Sequence, residues 1–165
     1  MAKVKKRKRL LLNNILSIIS IIFALISLLM IFFDFITVDI GLDKESHSGI
    51  SVALGKSAEG VAIINSSIGI CFAYICVFSG LLLLIINIIS KKQNKYLDYL
   101  IICLFIISAI LLCFGLKMVN FASGYKVFVD GFGAKYSLAY GAIISIICLI
   151  ISSVLKLINR FLKSR

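Results

Sequence analysis

Asp43, Glu45 and His47 alternate in a short polar run and could offer a divalent ion three oxygen or nitrogen ligands. One histidine between carboxylates in a turn reads more simply as a solvated turn. Gly49 to Ser57 ends in Gly-Lys-Ser like a phosphate-binding loop, but five residues separate its glycines where such a loop has four. The segment is also expected to face away from cytosolic nucleotide. Asn65-Ser66-Ser67 matches the glycosylation triplet, yet it falls at the end of an apolar run. Cys71, Cys76, Cys103, Cys113 and Cys148 all lie inside apolar runs, none in a C-x-x-C pair. They read as small packing residues, with no disulfide framework. The many serines in those runs lack an activating partner, and the runs carry no Asp, Glu, His, Lys or Arg away from their ends. Hence no catalytic group, cofactor or metal is expected, and the chain is read as a non-enzyme.

What positions these residues is a set of four long apolar stretches, Leu10 to Phe33, Val61 to Ser90, Tyr96 to Val119 and Ser137 to Ile158. Each reaches or exceeds the ~20 residues that cross a hydrocarbon core. Thirteen of the eighteen Lys and Arg fall before the first stretch, between the second and third, or at the end of the chain. The positive-inside rule makes those segments cytoplasmic. The expected layout is a basic N-terminus at 1–9, spans at 10–33, 61–90, 96–119 and 137–158, extracellular loops at 34–60 and 120–136, a cytoplasmic loop at 91–95, and a basic C-terminus at 159–165. Phe32, Phe33 and Phe35, Tyr96 and Tyr99, and Tyr136 and Tyr140 sit where interfacial anchors belong. The first stretch is too long for the ~7–15 apolar residues of a signal peptide and lacks a cleavage motif, so it reads as a retained anchor.

A net charge of +11 invites a nucleic-acid reading, but basic clusters beside spans are topology signals and contacts for anionic headgroups. The bilayer is the expected partner at the basic termini, and nucleic acid is not. Lys156, Arg160 and Lys163 recur at helical spacing, so the last helix should continue into the interface with Leu157, Phe161 and Leu162 toward the acyl chains.

With no proline in the chain, close approach of the helices must come from small side chains. The first span carries Asn13, Ser17, Ser20, Ala24 and Ser27 on one stripe. The second has Gly69, Ala73, Cys76 and Gly80, and the fourth has Ser137, Gly141, Ser145, Cys148 and Ser152. Gly69, Ala73, Gly80, Gly141 and Ser145 are the candidate packing seam. The third span has the weakest seam and the most expected lipid exposure, with Leu112 toward lipid.

In the first loop Ile36, Val38, Ile40 and Leu42 alternate with polar residues, as do Ile50, Val52 and Leu54 across the turn Asp43 to Gly49, which predicts a β-hairpin. Tyr125, Val127 and Val129 repeat the alternation in the second loop and predict a third strand of one small sheet. The expected fold class is all-α transmembrane, a four-helix bundle with a small extracellular β-sheet formed by the two outer loops. Thr37, Asp39, Lys126 and Asp130 would lie on the polar face of that sheet with Phe128 among them. Phe128, Asp39, Lys126 and Asp130 are therefore the candidate partner contact.

Four spans, cytoplasmic termini and a longer β-forming first outer loop resemble the claudin-type layout. The chain is also similar to small uncharacterised four-helix membrane proteins of low-GC Gram-positive bacteria and their wall-less relatives, on the glycine-containing stretch Gly131-Phe132-Gly133-Ala134-Lys135-Tyr136-Ser137 that leads into the last helix. The resemblance implies topology and a bacterial plasma membrane. The first-loop Trp and Cys pair of true claudins is absent, so it does not carry barrier function. The functional expectation is an accessory or interaction protein with a membrane or extracellular protein partner, homo-oligomers being possible. The alternative is a subunit of an oligomeric channel or transport complex.

Overall fold

The computed structural model describes residues 2–41, 43–58, 60–90 and 95–164, with side chains for all of these except 2–11, 95, 163 and 164. Leu42, Glu59, residues 91–94 with Lys91, Lys92 and Gln93, Arg165, and the side chains of Lys3 to Arg9 and Lys95 therefore lie outside the described residues. In chain order the elements are α1 (Ala2–Leu29), a 3-10 turn (Met30–Phe32), β1 (Asp34–Asp39), β2 (Lys44–Ser48), α2 (Gly49–Leu54), β3 (Lys56–Ala58), β4 (Val61–Asn65), α3 (Ile68–Ile89), α4 (Lys95–Cys113), α5 (Gly115–Met118), β5 (Asn120–Phe121), α6 (Ser123–Gly131), β6 (Lys135–Leu138) and α7 (Tyr140–Ser164).

Four helices, over Leu12–Phe32, Ile68–Ile89, Tyr96–Cys113 and Tyr140–Leu162, are long and apolar enough to cross a membrane. The chain is consistent with an integral, multi-pass membrane protein. Helix α1 packs on α3 and α7, and α4 packs on the same two helices. The α1–α7 contact is antiparallel and polar at its centre. Ser27 Oγ lies 2.6 Å from Ser145 Oγ, Ser20 Oγ lies 2.7 Å from Ser152 Oγ, and Asn159 Nδ2 donates to Asn13 O at 3.1 Å and to Ser17 Oγ at 2.6 Å. Each step of seven residues back along α1 is matched by a step of seven forward along α7. That 3.5-residue period keeps one seam of two supercoiled helices in contact. Along the α3–α4 contact Ser108 Oγ donates to Ala73 O at 2.9 Å within an apolar layer of Ile70, Val77, Ile101, Phe105 and Leu112, and Asn87 Nδ2 donates to Asp98 Oδ1 at 2.6 Å beyond it.

Glycine allows two close approaches. A Cβ on Gly80 would stand 2.6 Å from the Phe105 ring, and one on Gly141 would stand 2.6 Å from the Asp34 carbonyl oxygen. Two exposure expectations change. The least buried span is that of α1, 22% of it against 33% for α4, and Leu112 is fully buried. The reason is extent of contact: α4 lies along α3 far more closely than α1 does, and its apolar side chains fill the layer between them.

All strands gather at one end of the helices as a cap of two three-stranded sheets, ordered β2-β1-β6 and β3-β4-β5, neither closed into a barrel. The single expected sheet is thus two, and each takes strands from both sides of α3 and α4. Residues 50–54, expected to be a strand, form α2. Ser48 caps it by accepting from Ser51 N at 3.4 Å, Gly49, Val52 and Ala53 are buried at i, i+3 and i+4, and Gly55 ends it at φ +95°. Residues 125–129, also expected to be a strand, lie in α6, where Tyr125 and Val129 face inward one turn apart. The strand from this part of the chain is β6 instead, paired with β1 from Ile36↔Leu138 to Asp39↔Lys135.

Helix boundaries move for the same kind of reason. Val61–Asn65 belongs to β4, so α3 begins only at Ile68, after the polar break Asn65-Ser66-Ser67. The third span ends at Cys113, and α7 starts at Tyr140. Phe35, expected at the lipid interface, sits at a bulge in β1 and is buried against Gly115.

Candidate functional site

Among the described residues, buried acidic and basic side chains fall in two places, one at each end of the long helices. The first joins the start of α4 to the end of α7. Asp98 Oδ1 meets Lys156 Nζ at 2.7 Å and accepts from Asn87 Nδ2 at 2.6 Å. Arg160 Nη1 stands 4.0 Å from Asp98 Oδ2, and its guanidinium lies 3.8 Å from the centre of the Tyr99 ring. Lys156 is only 2% exposed. The expectation that it lies in the interface beside Arg160 and Lys163 is therefore corrected. Its turn of α7 faces α4, and the Asp98 carboxylate draws the ammonium inward instead of letting it reach the headgroups. In the sequence Asp98 is the one acidic residue at the end of the apolar stretches that borders the segments with thirteen of the eighteen cations. That isolation was the available signal.

The second place is the cap. His47 on β2 is directly opposite Ile36 on β1, and cross-strand partners share a face, so the imidazole enters the apolar layer that Ile36, Val38 and Val129 fill. It is 2% exposed, and neither ring nitrogen has a hydrogen-bond partner. Burial in that layer, together with nearby Lys56, holds its pKa below the ordinary histidine value, while Glu45 and Asp34 pull the other way. The Tyr125 ring stands edge-on, 6.3 Å between centroids, and its hydroxyl donates to Glu45 Oε2 at 2.6 Å. Burial and that carboxylate raise the Tyr125 pKa. Phe121 stacks on Tyr125 and leans on Tyr136, whose hydroxyl donates to Asp130 at 2.7 Å. Burial and Asp130 push the Tyr136 pKa up to about 12.

The candidate contact residues are not brought onto one sheet face. Asp39 is on β1, where it accepts from Gly41 N at 3.0 Å and pairs with Lys44 at 3.4 Å. The Gly41 amide first, then Lys44, hold its carboxyl below the usual carboxylate range. Lys126, Phe128 and Asp130 are on α6. At 3.6 residues per turn Lys126 and Asp130 share one side and Phe128 takes the other. Phe128 is 62% exposed and packs edge-on against Phe132, itself 64% exposed, with Val127 75% exposed beside them. Of the seam candidates, Ala73, Gly80, Gly141 and Ser145 are buried and Gly69 is half-buried against Met118. Ser145 bonds Ser27 as described. Asp43, Glu45 and His47 do not converge, and among the described residues no three His, Cys, Asp or Glu side chains could hold a metal ion.

No family model matches this chain, and no curated protein matches it.

Proposed function

We propose that the chain is a non-enzymatic accessory protein of a bacterial plasma membrane, a four-helix bundle of claudin-like topology that holds an extracellular cap against a membrane or extracellular protein partner. The observation that carries this reading is α6. The helix is pinned by buried Val129 and by Tyr125 bound to Glu45, while Val127, Phe128 and, just past its end, Phe132 stand exposed. An immobilised helix that leaves two aromatic rings in contact and uncovered is suited to burying them in a partner, the residue type that dominates such contacts. Both termini and the 91–95 connection face the cytoplasm in this reading, where their basic residues meet anionic headgroups.

A photoreactive phenylalanine analogue at position 128 should crosslink a discrete protein in intact cells, and the same analogue at Ile110, which faces outward on α4, should not. Phe128→Ser should accumulate and melt like the wild type while losing that crosslinked product at position 132. A variant that fails to accumulate, or a crosslink equal at both positions, defeats the contact. A cysteine at Lys126 should react with an impermeant reagent on whole cells, and one at Gln93 only after lysis. Labelling of Gln93→Cys without lysis reverses the threading.

The channel alternative needs polar side chains that face other copies. Here Ser20, Ser27, Ser145 and Ser152 are bonded to one another inside one chain, and the outward faces of α1 and α7 carry Ile15, Ile18, Ile22, Ile143, Ile147 and Ile150. Vesicles containing the purified protein should show no ion conductance above that of empty vesicles.

A further inference from the structure

His47 is the single histidine of the chain, and the cap keeps it in a position that leaves its chemistry unused. An imidazole has one donor and one acceptor when neutral and two donors when charged. In the cap the neutral ring satisfies neither. The groups around it are Glu45 on its own strand, Asp34 on β1, Lys56 on β3 and the Tyr125 hydroxyl on α6; α2, also packed on β2, brings no ionisable residue. One atom is shared by two of these relations. Glu45 Oε2 accepts the Tyr125 hydroxyl at 2.6 Å and stands 4.0 Å from His47 Nε2. That second distance is beyond hydrogen-bond range and about 1 Å from it.

We propose that His47 is a proton-operated catch for α6: a proton taken from solvent by the ring lets Nε2–H draw Glu45 Oε2 across the remaining gap, which pulls the carboxylate away from the Tyr125 hydroxyl and releases α6 from the sheets. A charged imidazole beside a carboxylate makes a stronger hydrogen bond than a phenol does. The same proton places a charge in the apolar layer of Ile36, Val38 and Val129, which favours admitting water there. Both effects act on the joint between β2 and α6, and neither reaches the seam of α1 and α7. The sign follows from the environment already described. The ring takes up its proton less readily in the folded cap than in the opened one, so the closed cap is complete above the ordinary histidine value of about 6.5 and weakens as the pH falls below it. The inference holds whether or not α6 meets a partner.

With one histidine in the chain, the test is direct. In detergent-solubilised full-length protein, the His47 ring signal should titrate with a midpoint below about 6.5, and the ring signal of Tyr125, assigned by its loss in Tyr125→Phe, should move with the same midpoint. Amide exchange over α6, corrected for the intrinsic rate, should rise as the pH falls from 7.5 to 5, by up to about tenfold per unit for one linked proton. In His47→Phe the exchange should be flat with pH, and in Tyr125→Phe it should be raised at every pH. A His47 midpoint at or above 6.5, a Tyr125 signal that does not follow it, or α6 protection unchanged down to pH 5 each overturns the proposal. The wild-type titration decides it even if His47→Phe does not fold.

Discussion

Asp98 and His47 are both buried, yet they are treated in opposite ways. At the uncapped end the carboxylate has an ammonium at 2.7 Å and an amide at 2.6 Å. In the cap the imidazole has no hydrogen bond at all. The difference follows from what lies outside each. A charge turned inward between packed helices has neither water nor headgroups in reach and must be met inside the protein. The cap borders water and can open to it, so an unmet group there is tolerated in the neutral form and becomes an instability only when charged.

The comparison breaks most visibly at the ion pair. Asp98→Leu leaves Lys156 buried without its anion and should cost about 3–5 kcal/mol, measured as loss of folded fraction in a detergent-denaturation series. Adding Lys156→Met should restore most of the loss. Equal instability of the single and double variants would mean that the pair is not what holds that end. Next in size is Gly141→Leu, because the atom in the way is backbone at Asp34 O. It should cost about 1–3 kcal/mol as a lower melting temperature, against little change for Ile110→Phe. The serine rungs are smaller still. A double-mutant cycle of Ser20→Ala and Ser152→Ala should give a coupling of about 0.6 kcal/mol and not more than ~1.7, since unfolded helices in a membrane also find partners. The smallest effect belongs to Asp39 at the rim of the cap. Its carboxyl is held low by Gly41 N–H and Lys44, so the turn is intact above the ordinary carboxylate range and loosens only as the pH falls through the lowered value. Gly41 amide exchange should report this without change elsewhere.

The four spanning helices were legible because ~20 apolar residues admit few other readings. The stripe Ser17, Ser20, Ala24 and Ser27 was legible as a spacing, but its partner was not, since nothing in a spacing says which helix lies opposite. In the cap, two-residue alternation misled twice. Ile50, Val52 and Leu54 alternate, yet Ser48 and Gly55 are a helix start and stop with six residues between them, and that punctuation outranks alternation in so short a run. Tyr125, Val127 and Val129 alternate as well, but Tyr125 and Val129 also fit one turn of helix, and Ser123 and Gly131 bound it. The Asp98–Lys156 pair joins residues 58 positions apart, and burial of His47 depends on Ile36 across a strand pair. Both are tertiary facts that no local pattern contains.

The rungs of α1 and α7 join the first long helix of the sequence to the last. During synthesis α1 enters the membrane long before its partner exists. Until α7 arrives, the Ser20 and Ser27 hydroxyls have only their own helix backbone to bond, and the Asn13 carbonyl has no Asn159 amide. Closure of the α1–α7 seam thus has to wait until α7 has been made, after α3 and α4. A chain stalled before residue 145 would present a polar stripe to the bilayer, a mark by which quality-control proteases could tell an unfinished molecule from a finished one.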